Sequence, residues 1–246
     1  MTEEEFLRSY DAKSFERPSV AVDLVLMSVR DGQVVAVLQQ RSEHPYQGHW
    51  ALPGGFVQIG ESPDEAATRI LKDKAGMDQC FLEQLYTFGA PDRDPRTHVI
   101  SIAHFALLPF ERFEKALDRK ADLALATIDV PWKGEAGGAV RALDRQGSKL
   151  SLAFDHDEIL GLAVKRLRGR LDYSPIAFAL LPALFTLRDL QDVHQAILGV
   201  EFRKPAFRRR MLDAGWIKGT GKKESGQTFR PAELYTLKKG VKNGTD

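Results

Sequence analysis

The segment from Ser62 to Met77 constrains the fold more than any other part of the chain. Ser62-Pro63-Asp64-Glu65 carries the signals of a helix start: serine as N-cap, proline at the first helical position, and a glutamate placed to close a capping box. Gly76 supplies a left-handed stop. The spacing predicts one helix of about three to four turns between them. Ala66, Ala67, Ile70 and Leu71 form an apolar stripe along it. Positions 70, 73 and 74 share a face because they are three and four residues apart. Three carboxylates there would hold a hard cation, since Mg²⁺ takes oxygen ligands and keeps substrate phosphates in its shell. Here the positions read Ile70, Asp73 and Lys74. Isoleucine cannot ligate, Asp73 is one methylene shorter than glutamate, and Lys74 puts a cation where the metal would sit. Two unit charges about 4 Å apart interact by about 4 kcal/mol at an effective dielectric near 20, so a divalent ion facing Lys74 meets roughly twice that. No metal site is expected.

At 246 residues the chain suits one large domain or two modest ones. Its one cysteine, Cys80, rules out an intrachain disulfide and fits a reducing compartment. The acidic start (Glu3, Glu4, Glu5) lacks a cationic-then-apolar signal pattern, and no apolar run approaches a membrane span. A cytoplasmic protein is expected. Net charge is +1, but it is unevenly spread. Residues 187–246 hold 13 Lys+Arg against 7 Asp+Glu, a net of +6, while residues 1–186 hold 22 against 27, a net of −5. That asymmetry points the C-terminal part towards an anionic partner, nucleic acid first.

Val20 to Met27 and Val34 to Leu38 read as strands joined by the turn Arg30-Asp31-Gly32-Gln33, where Asp-Gly supplies positive φ. Trp50 to Leu52 and Val57 flank a Pro53-Gly54-Gly55 turn. Val99 to Leu108 reads as a long strand. Val140 to Leu143 and Leu150 to Phe154 read as a pair linked by Asp144-Arg145-Gln146-Gly147. Asp155 is expected to cap a helix through about Arg168, and Tyr173 to Leu181 is an apolar stretch ended by Pro182. Strands mixed with few helices indicate an α/β or α+β sandwich. The expected organisation is a first domain over 1–154, a linking helix and connection over 155–183, and a second domain over 184–246.

The C-terminal segment has its own pattern. Thr186 is placed to cap a helix whose apolar face is Leu187, Leu190, Val193, Ile197 and Leu198, with Gly199 as its stop. A short turn leads to a second helix with Pro205 near its start. Phe207, Met211 and Leu212 are expected to face inward. By the 100° step, Arg209 and Arg210 point outward with Ala206, and Arg208 sits nearer the packed flank. Trp216-Ile217 then enters a hairpin, with Gly219 to Gly226 as its loop and Thr228 to Leu237 returning. Helix, turn, basic helix and basic hairpin outline a winged helix-turn-helix. Outward arginines suit guanine edges in the major groove, and wing lysines suit phosphates. Expected DNA contacts are Thr186, Arg203, Lys204, Arg208, Arg209, Arg210, Lys218, Lys222, Lys223 and Arg230. The competing reading is a basic solvated face on a packing or dimerisation domain.

Gly55, Glu61, Arg69, Leu71, Gly76 and Met77 match a Nudix box, and His49-Trp50-Ala51-Leu52-Pro53-Gly54-Gly55-Phe56 resembles the strand and turn that lead into one. The three box glutamates of the second half are the positions occupied by Ile70, Asp73 and Lys74. From about Arg17 onward the chain resembles the Nudix-related transcriptional regulators of NAD metabolism. Phe185-Thr186-Leu187-Arg188-Asp189-Leu190-Gln191, Phe207-Arg208-Arg209-Arg210 and Arg230-Pro231-Ala232-Glu233-Leu234-Tyr235 carry the C-terminal match. The resemblance implies a mixed-sheet α/β/α Nudix sandwich followed by a winged helix-turn-helix. It also implies a homodimeric repressor on a palindromic operator, with ADP-ribose or a related NAD metabolite as effector and no cofactor. Arg93-Asp94-Pro95-Arg96 resembles a loop of the ADP-ribose-type members. The ligand residues expected are Arg41, Gly54, Gly55, Phe56, Glu61, Lys74, Arg93, Asp94 and Arg96, with Lys74 neutralising a diphosphate in place of a metal. The chain is also similar to ADP-ribose-cleaving Nudix enzymes, so a Mg²⁺-dependent ADP-ribose pyrophosphatase with an accessory basic domain is the alternative; a pure interaction scaffold is a third. Asp155-His156-Asp157 reads as a helix start rather than a metal set, and His98 and His104 lack partners for a zinc site.

Overall fold

A computed structural model of the chain describes residues 1–77, 80–224 and 231–241. Strand β1 (Ser19–Arg30) is its spine. Val22, Leu24 and Leu26 alternate with Val25 and Met27, and all five are fully buried. The first set packs with Ala66, Ile70 and Leu71 of α2 (Pro63–Ala75) and Phe113 of α3 (Phe110–Leu117). The second packs with Ile159, Leu160, Ala163 and Leu167 of α4 (His156–Arg170). A strand covered on both faces carries apolar residues on both, which is why Leu24 to Met27 run on without alternation, with Asp23 and Ser28 as buried polar exceptions.

Asp31 (φ 50) and Gly32 (φ 74) turn β1 into the antiparallel β2 (Gln33–Gln40). On its other side β1 runs parallel to β6 (Val99–Leu107), in register from Ser19 with Val99 to Met27 with Leu107. β5 (Phe81–Phe88) extends the sheet beyond β6. β7 (Leu123–Asp129) and then β8 (Arg141–Leu143) extend it beyond β2. The short β3 (Trp50–Ala51) and β4 (Gly54–Phe56) pair with β2 and β1. The result is the mixed sheet between helices that the resemblance implies. β5, α3, β7 and the N-terminal α1 (Glu3–Ser9) were not anticipated from the sequence. The expected strand at Leu150 to Phe154 does not form. Asp144 folds back to accept from the N–H groups of Gln146 (2.9 Å) and Ser148 (2.8 Å), and the chain beyond crosses to β3, where Trp50 N donates to Ser151 O at 2.9 Å.

Both helices of the C-terminal pair start where the sequence indicates, and the first also stops there. α5 (Leu187–Leu198) has a capping box between Thr186 and Asp189 and stops at Gly199 with φ 67. α6 (Lys204–Asp213) begins at Lys204-Pro205. The turn between them is held by side chains of α5: Gln195 Oε1 accepts from Phe202 N (2.8 Å), and Gln191 Nε2 donates to Phe202 O (3.0 Å). β9 (Ile217–Lys223) and β10 (Glu233–Leu237) form the antiparallel wing, and Phe185 bridges to Tyr235. Two expectations are corrected here. Residues 219–223, assigned to a loop, belong to β9. Leu212, assigned inward, is 42% exposed, because Phe207 and Met211 already fill the inner face.

The two parts share one core. Leu190, Val193, Ile197, Phe207, Met211, Ile217 and Tyr235 are continuous with Ile159, Leu167 and the sheet residues beneath α4. Arg168, in the last turn of α4, ties them further. Only 7% exposed, it donates through Nε to Ile197 O (2.7 Å) and through Nη1 to Gly134 O (3.0 Å) and Trp132 O (3.3 Å), with its guanidinium over the Trp132 ring. Among the described residues no helix is long and apolar enough to cross a membrane.

Candidate effector cleft and nucleic-acid face

β1, β2, β4 and the loop 93–96 enclose a cleft of about 290 Å³. Eight of the nine expected ligand residues line it: Arg41, Gly54, Gly55, Phe56, Lys74, Arg93, Asp94 and Arg96. Glu61 does not. It accepts from Arg69 Nε (3.0 Å) and from Gln58 N (2.7 Å), and Arg69 Nη2 also holds Phe56 O at 3.1 Å. Glu61 thus braces the loop behind the cleft, and the Arg69 hydrogen bond holds its carboxyl below the usual range.

The floor is a buried charge cluster. Ser101 Oγ donates to Asp23 Oδ2 at 2.6 Å. Arg93 grips Asp155 with two bonds, Nε–Oδ2 2.9 Å and Nη2–Oδ1 2.6 Å, and Nη2 lies 3.6 Å from Asp23. Burial opposes the charge on Arg93, but the Asp155 bonds outweigh it and raise its pKa. Asp155 occupies the N-cap position of α4 without making a side-chain cap bond, because its carboxylate is taken by Arg93. Arg93 is therefore a clamp more than an open ligand arginine. Leu52 N donates to His156 Nδ1 at 2.9 Å, so Nε2 carries the ring proton, 3.7 Å from Asp23 Oδ1. Burial pushes the His156 pKa down and keeps the ring neutral.

The walls are cationic and aromatic. Arg41 lies over the Phe154 ring at 4.9 Å and donates to Pro45 O at 2.7 Å. Burial, then the charge of Arg96, lowers its pKa. Arg96 lies 5.6 Å from the Phe56 ring centre and 6.0 Å from that of Phe154, and it closes on Asp94 through Nε (3.0 Å) and Nη2 (2.7 Å). Phe154 holds φ 56, a costly conformation for a large side chain, and it aims the ring between the two arginines. Gly54 has no alternative: a Cβ there would lie 2.2 Å from Asp23 Oδ1 and 2.9 Å from Val22 O. Lys74 reaches from α2 to donate to Gly54 O. Burial lowers its pKa, and Asp23 opposes that. Sequence reasoning missed Asp23, Phe154 and His156 as cleft residues; only the polar interruption of an apolar strand at Asp23 could have signalled one of them.

Among the described residues no three His, Cys, Asp or Glu side chains converge as a metal set. Asp157 accepts from Glu158 N, His98 contacts Gly89 O, and His104 lies between Ile102 O and Asp64.

The α6 and wing face is exposed and basic at Arg203, Lys204, Arg208, Arg209, Lys218, Lys222 and Lys223. Thr186 is buried, with its hydroxyl accepting from Asp189 N. Arg210 corrects the helix phasing. It packs over Phe202 (5.0 Å) and Phe207 (5.4 Å) and pairs with Asp172 at 3.3 Å, while Arg208 is the exposed one. Arg230 lies outside the described residues.

Residues 17–125 match the NUDIX domain, and residues 177–237 match the NrtR DNA-binding winged helix domain. The ADPR responsive transcriptional repressor NtrR of Acinetobacter baylyi is 35% identical over 237 residues, which span 95% of this chain and 88% of that one. The chain belongs to the NrtR family. The NrtR of Shewanella oneidensis, in a crystal structure with a 27mer DNA, superposes at TM-score 0.73 and 32% identity, covering 89% of this chain and 93% of that one. The NUDIX domain of that NrtR, crystallised with ADP ribose, superposes at TM-score 0.50 and 31% identity, covering 68% and 99%. Phe154, Asp155 and His156 fall between the two matched segments. One wall of the cleft thus comes from the segment that joins them.

Proposed function

We propose that this chain is a transcriptional repressor of NAD-synthesis or salvage genes. It binds a palindromic operator as a homodimer in the cytoplasm, through α6 and the wing, and it senses ADP-ribose or a related NAD metabolite in the cleft. The observation that carries the reading is a cleft lined by Arg41, Lys74, Arg93 and Arg96 whose far wall, Phe154 to His156, opens the helix that packs on the DNA-binding domain. Arg203, Lys204, Arg208, Arg209, Lys218, Lys222 and Lys223 supply the DNA contacts. Arg210 acts by positioning α6, and Thr186 by capping α5. The chain acts as a regulator rather than a hydrolase, with at most weak residual turnover of ADP-ribose, because Ile70 and Lys74 stand where metal-binding carboxylates would be needed.

An effector shifts such a protein only by binding one of its conformations better than the other. DNA then changes effector affinity by the same factor. The test is fluorescence anisotropy of labelled duplexes tiled across the promoters of neighbouring NAD-metabolism genes, at fixed salt, with and without ADP-ribose. Tight, sequence-selective binding that changes with ADP-ribose is expected. Weak, sequence-blind binding together with Mg²⁺-dependent release of AMP would replace this reading with the hydrolase.

A further inference from the structure

The fold family implies a divalent cation at the cleft end of α2, and the residues there do not fit one. Ile70 is buried in the core, with its Cδ1 facing Gly55. Asp73 is exposed and does not line the cleft. Of the other carboxylates near the site, Asp23 is held by Ser101 and Arg93, Asp94 by Arg96, Asp155 by Arg93 and Glu61 by Arg69, which leaves the exposed Glu43 at the rim. Mg²⁺ demands a near-octahedral shell of oxygens; among the described residues one rim carboxylate is free, no three converge, and an ammonium group stands at the end of α2.

We propose that Lys74 takes over the role of the divalent ion, so that the cleft binds the diphosphate of its ligand directly and without metal. This rests on the reading of the cleft as the effector site. The four cleft cations divide into two classes. Arg93 and Arg96 each touch a carboxylate within hydrogen-bond distance. Arg41 and Lys74 do not; their direct partners are the backbone carbonyls of Pro45, Glu43 and Gly54. The Glu43 side chain is exposed at the rim, and Asp23 acts on Lys74 only from beyond contact distance. Two half-buried cations without a contacting counter-ion face one cleft, and a diphosphate diester carries two negative charges. An ammonium has three N–H donors; Gly54 O takes one and two remain for phosphate oxygens. The Gly54 bond also fixes where the ammonium sits, because Gly54 is itself held opposite Asp23 in the β1–β4 ladder.

Isothermal titration of the full chain with ADP-ribose, and with ADP as a diphosphate lacking the second ribose, tests this in EDTA and in Mg²⁺. The wild-type Kd is expected to be the same in both, within about threefold. Lys74→Gln should weaken both ligands by about tenfold or more, the loss of a charged hydrogen bond. Lys74→Glu should weaken them further in EDTA and recover in part with Mg²⁺, having restored an oxygen ligand. Wild-type binding that drops more than tenfold in EDTA overturns the inference and leaves the effector reading standing. So does unchanged binding by a Lys74→Gln protein with native circular dichroism. Should that variant lose its fold, the wild-type metal comparison decides alone. Metal-free binding that Lys74→Gln weakens, without any effect of ADP-ribose on DNA affinity, leaves Lys74 in its role and overturns the effector reading. Binding of neither ligand in either condition overturns both.

Discussion

Arg168→Met tests how the two parts are joined. Methionine keeps the apolar stem and removes the guanidinium. Three hydrogen bonds to backbone carbonyls disappear, at Ile197, Gly134 and Trp132. At about 1 kcal/mol net each they amount to about 3 kcal/mol. Losing a cation from the C-terminal end of α5 adds about 0.5 kcal/mol, and losing the stack on Trp132 adds about 1 kcal/mol. Burial lowers the Arg168 pKa, so relief of that burden offsets part of the loss. The net is about 3 kcal/mol. In a chain of this size each kcal/mol moves Tm by about 2–4 °C, so a fall of roughly 6–12 °C is expected in a calorimetric scan. Arg168→Lys should fall between the two, because an ammonium cannot span three carbonyls in the geometry of a guanidinium fork. Ligand affinity should not move, since His156 and Arg168 stand twelve residues apart on α4, about 18 Å. A Tm shift below about 2 °C, or equal shifts for Met and Lys, would refute the argument.

Arg93→Ala leaves the buried Asp23 and the half-buried Asp155 without their cation; a loss of about 3 kcal/mol is expected from urea unfolding, and a loss under about 1 kcal/mol would show that water or a neighbour replaces it. Arg209→Ala and Arg210→Ala should separate cleanly: the first weakens DNA binding with an unchanged Tm, and the second lowers Tm because it strips the cover from Phe202 and Phe207 and frees Asp172. Equal effects on stability would mean that the half-buried placement of Arg210 carries no weight. Stability should also fall with acid. Burial drops the His194 pKa to about 4, so between the usual histidine value and that point the unfolded chain binds a proton that the folded one refuses. Stability is full above about pH 6.5 and is lost as pH falls, by about 2 kcal/mol for this residue between pH 7 and pH 5. His156 acts in the same direction. His194→Gln should roughly halve the slope of unfolding free energy against pH; an unaltered slope would place its origin elsewhere.

The parts of this molecule that depend on neighbours in sequence were legible in advance. The capping boxes at Ser62 and Thr186, the glycine stops at Gly76 and Gly199, and the Asp31-Gly32 turn are local devices, and each appears where the residues predict it. The cleft was legible only from one side. Its cations sit in recognisable segments, but the partners that decide which are free do not. Arg93 meets Asp155 across 62 positions of chain, and no spacing rule links them. Glu61 looked available because Arg69, which takes it up, lies beyond the reach of a helical-pair rule. Arg210 was misplaced for a related reason. A 100° step gives its direction on α6, but Asp172 and the two phenylalanines decide where so long a side chain goes. β5 is an edge strand whose sequence, Phe81–Phe88, mixes polar and apolar residues too loosely to announce itself, and the alanines of β7, Leu123–Asp129, are weak strand formers.

The shared core makes the chain hard to take apart. α4 covers the sheet on one side and the DNA-binding helices on the other, so no surface loop divides the protein into halves that keep their own interiors. A sensing fragment that ended at Phe154 would bare Val25, Met27, Phe105 and their neighbours to water. A workable one has to carry α4 with it, and the DNA-binding remainder then loses the surface that Leu190, Val193 and Ile197 rest on. Melting should be a single event, and a small molecule held in the cleft should delay the loss of native fluorescence at Trp216, in the opposite half of the molecule, although it never touches that residue.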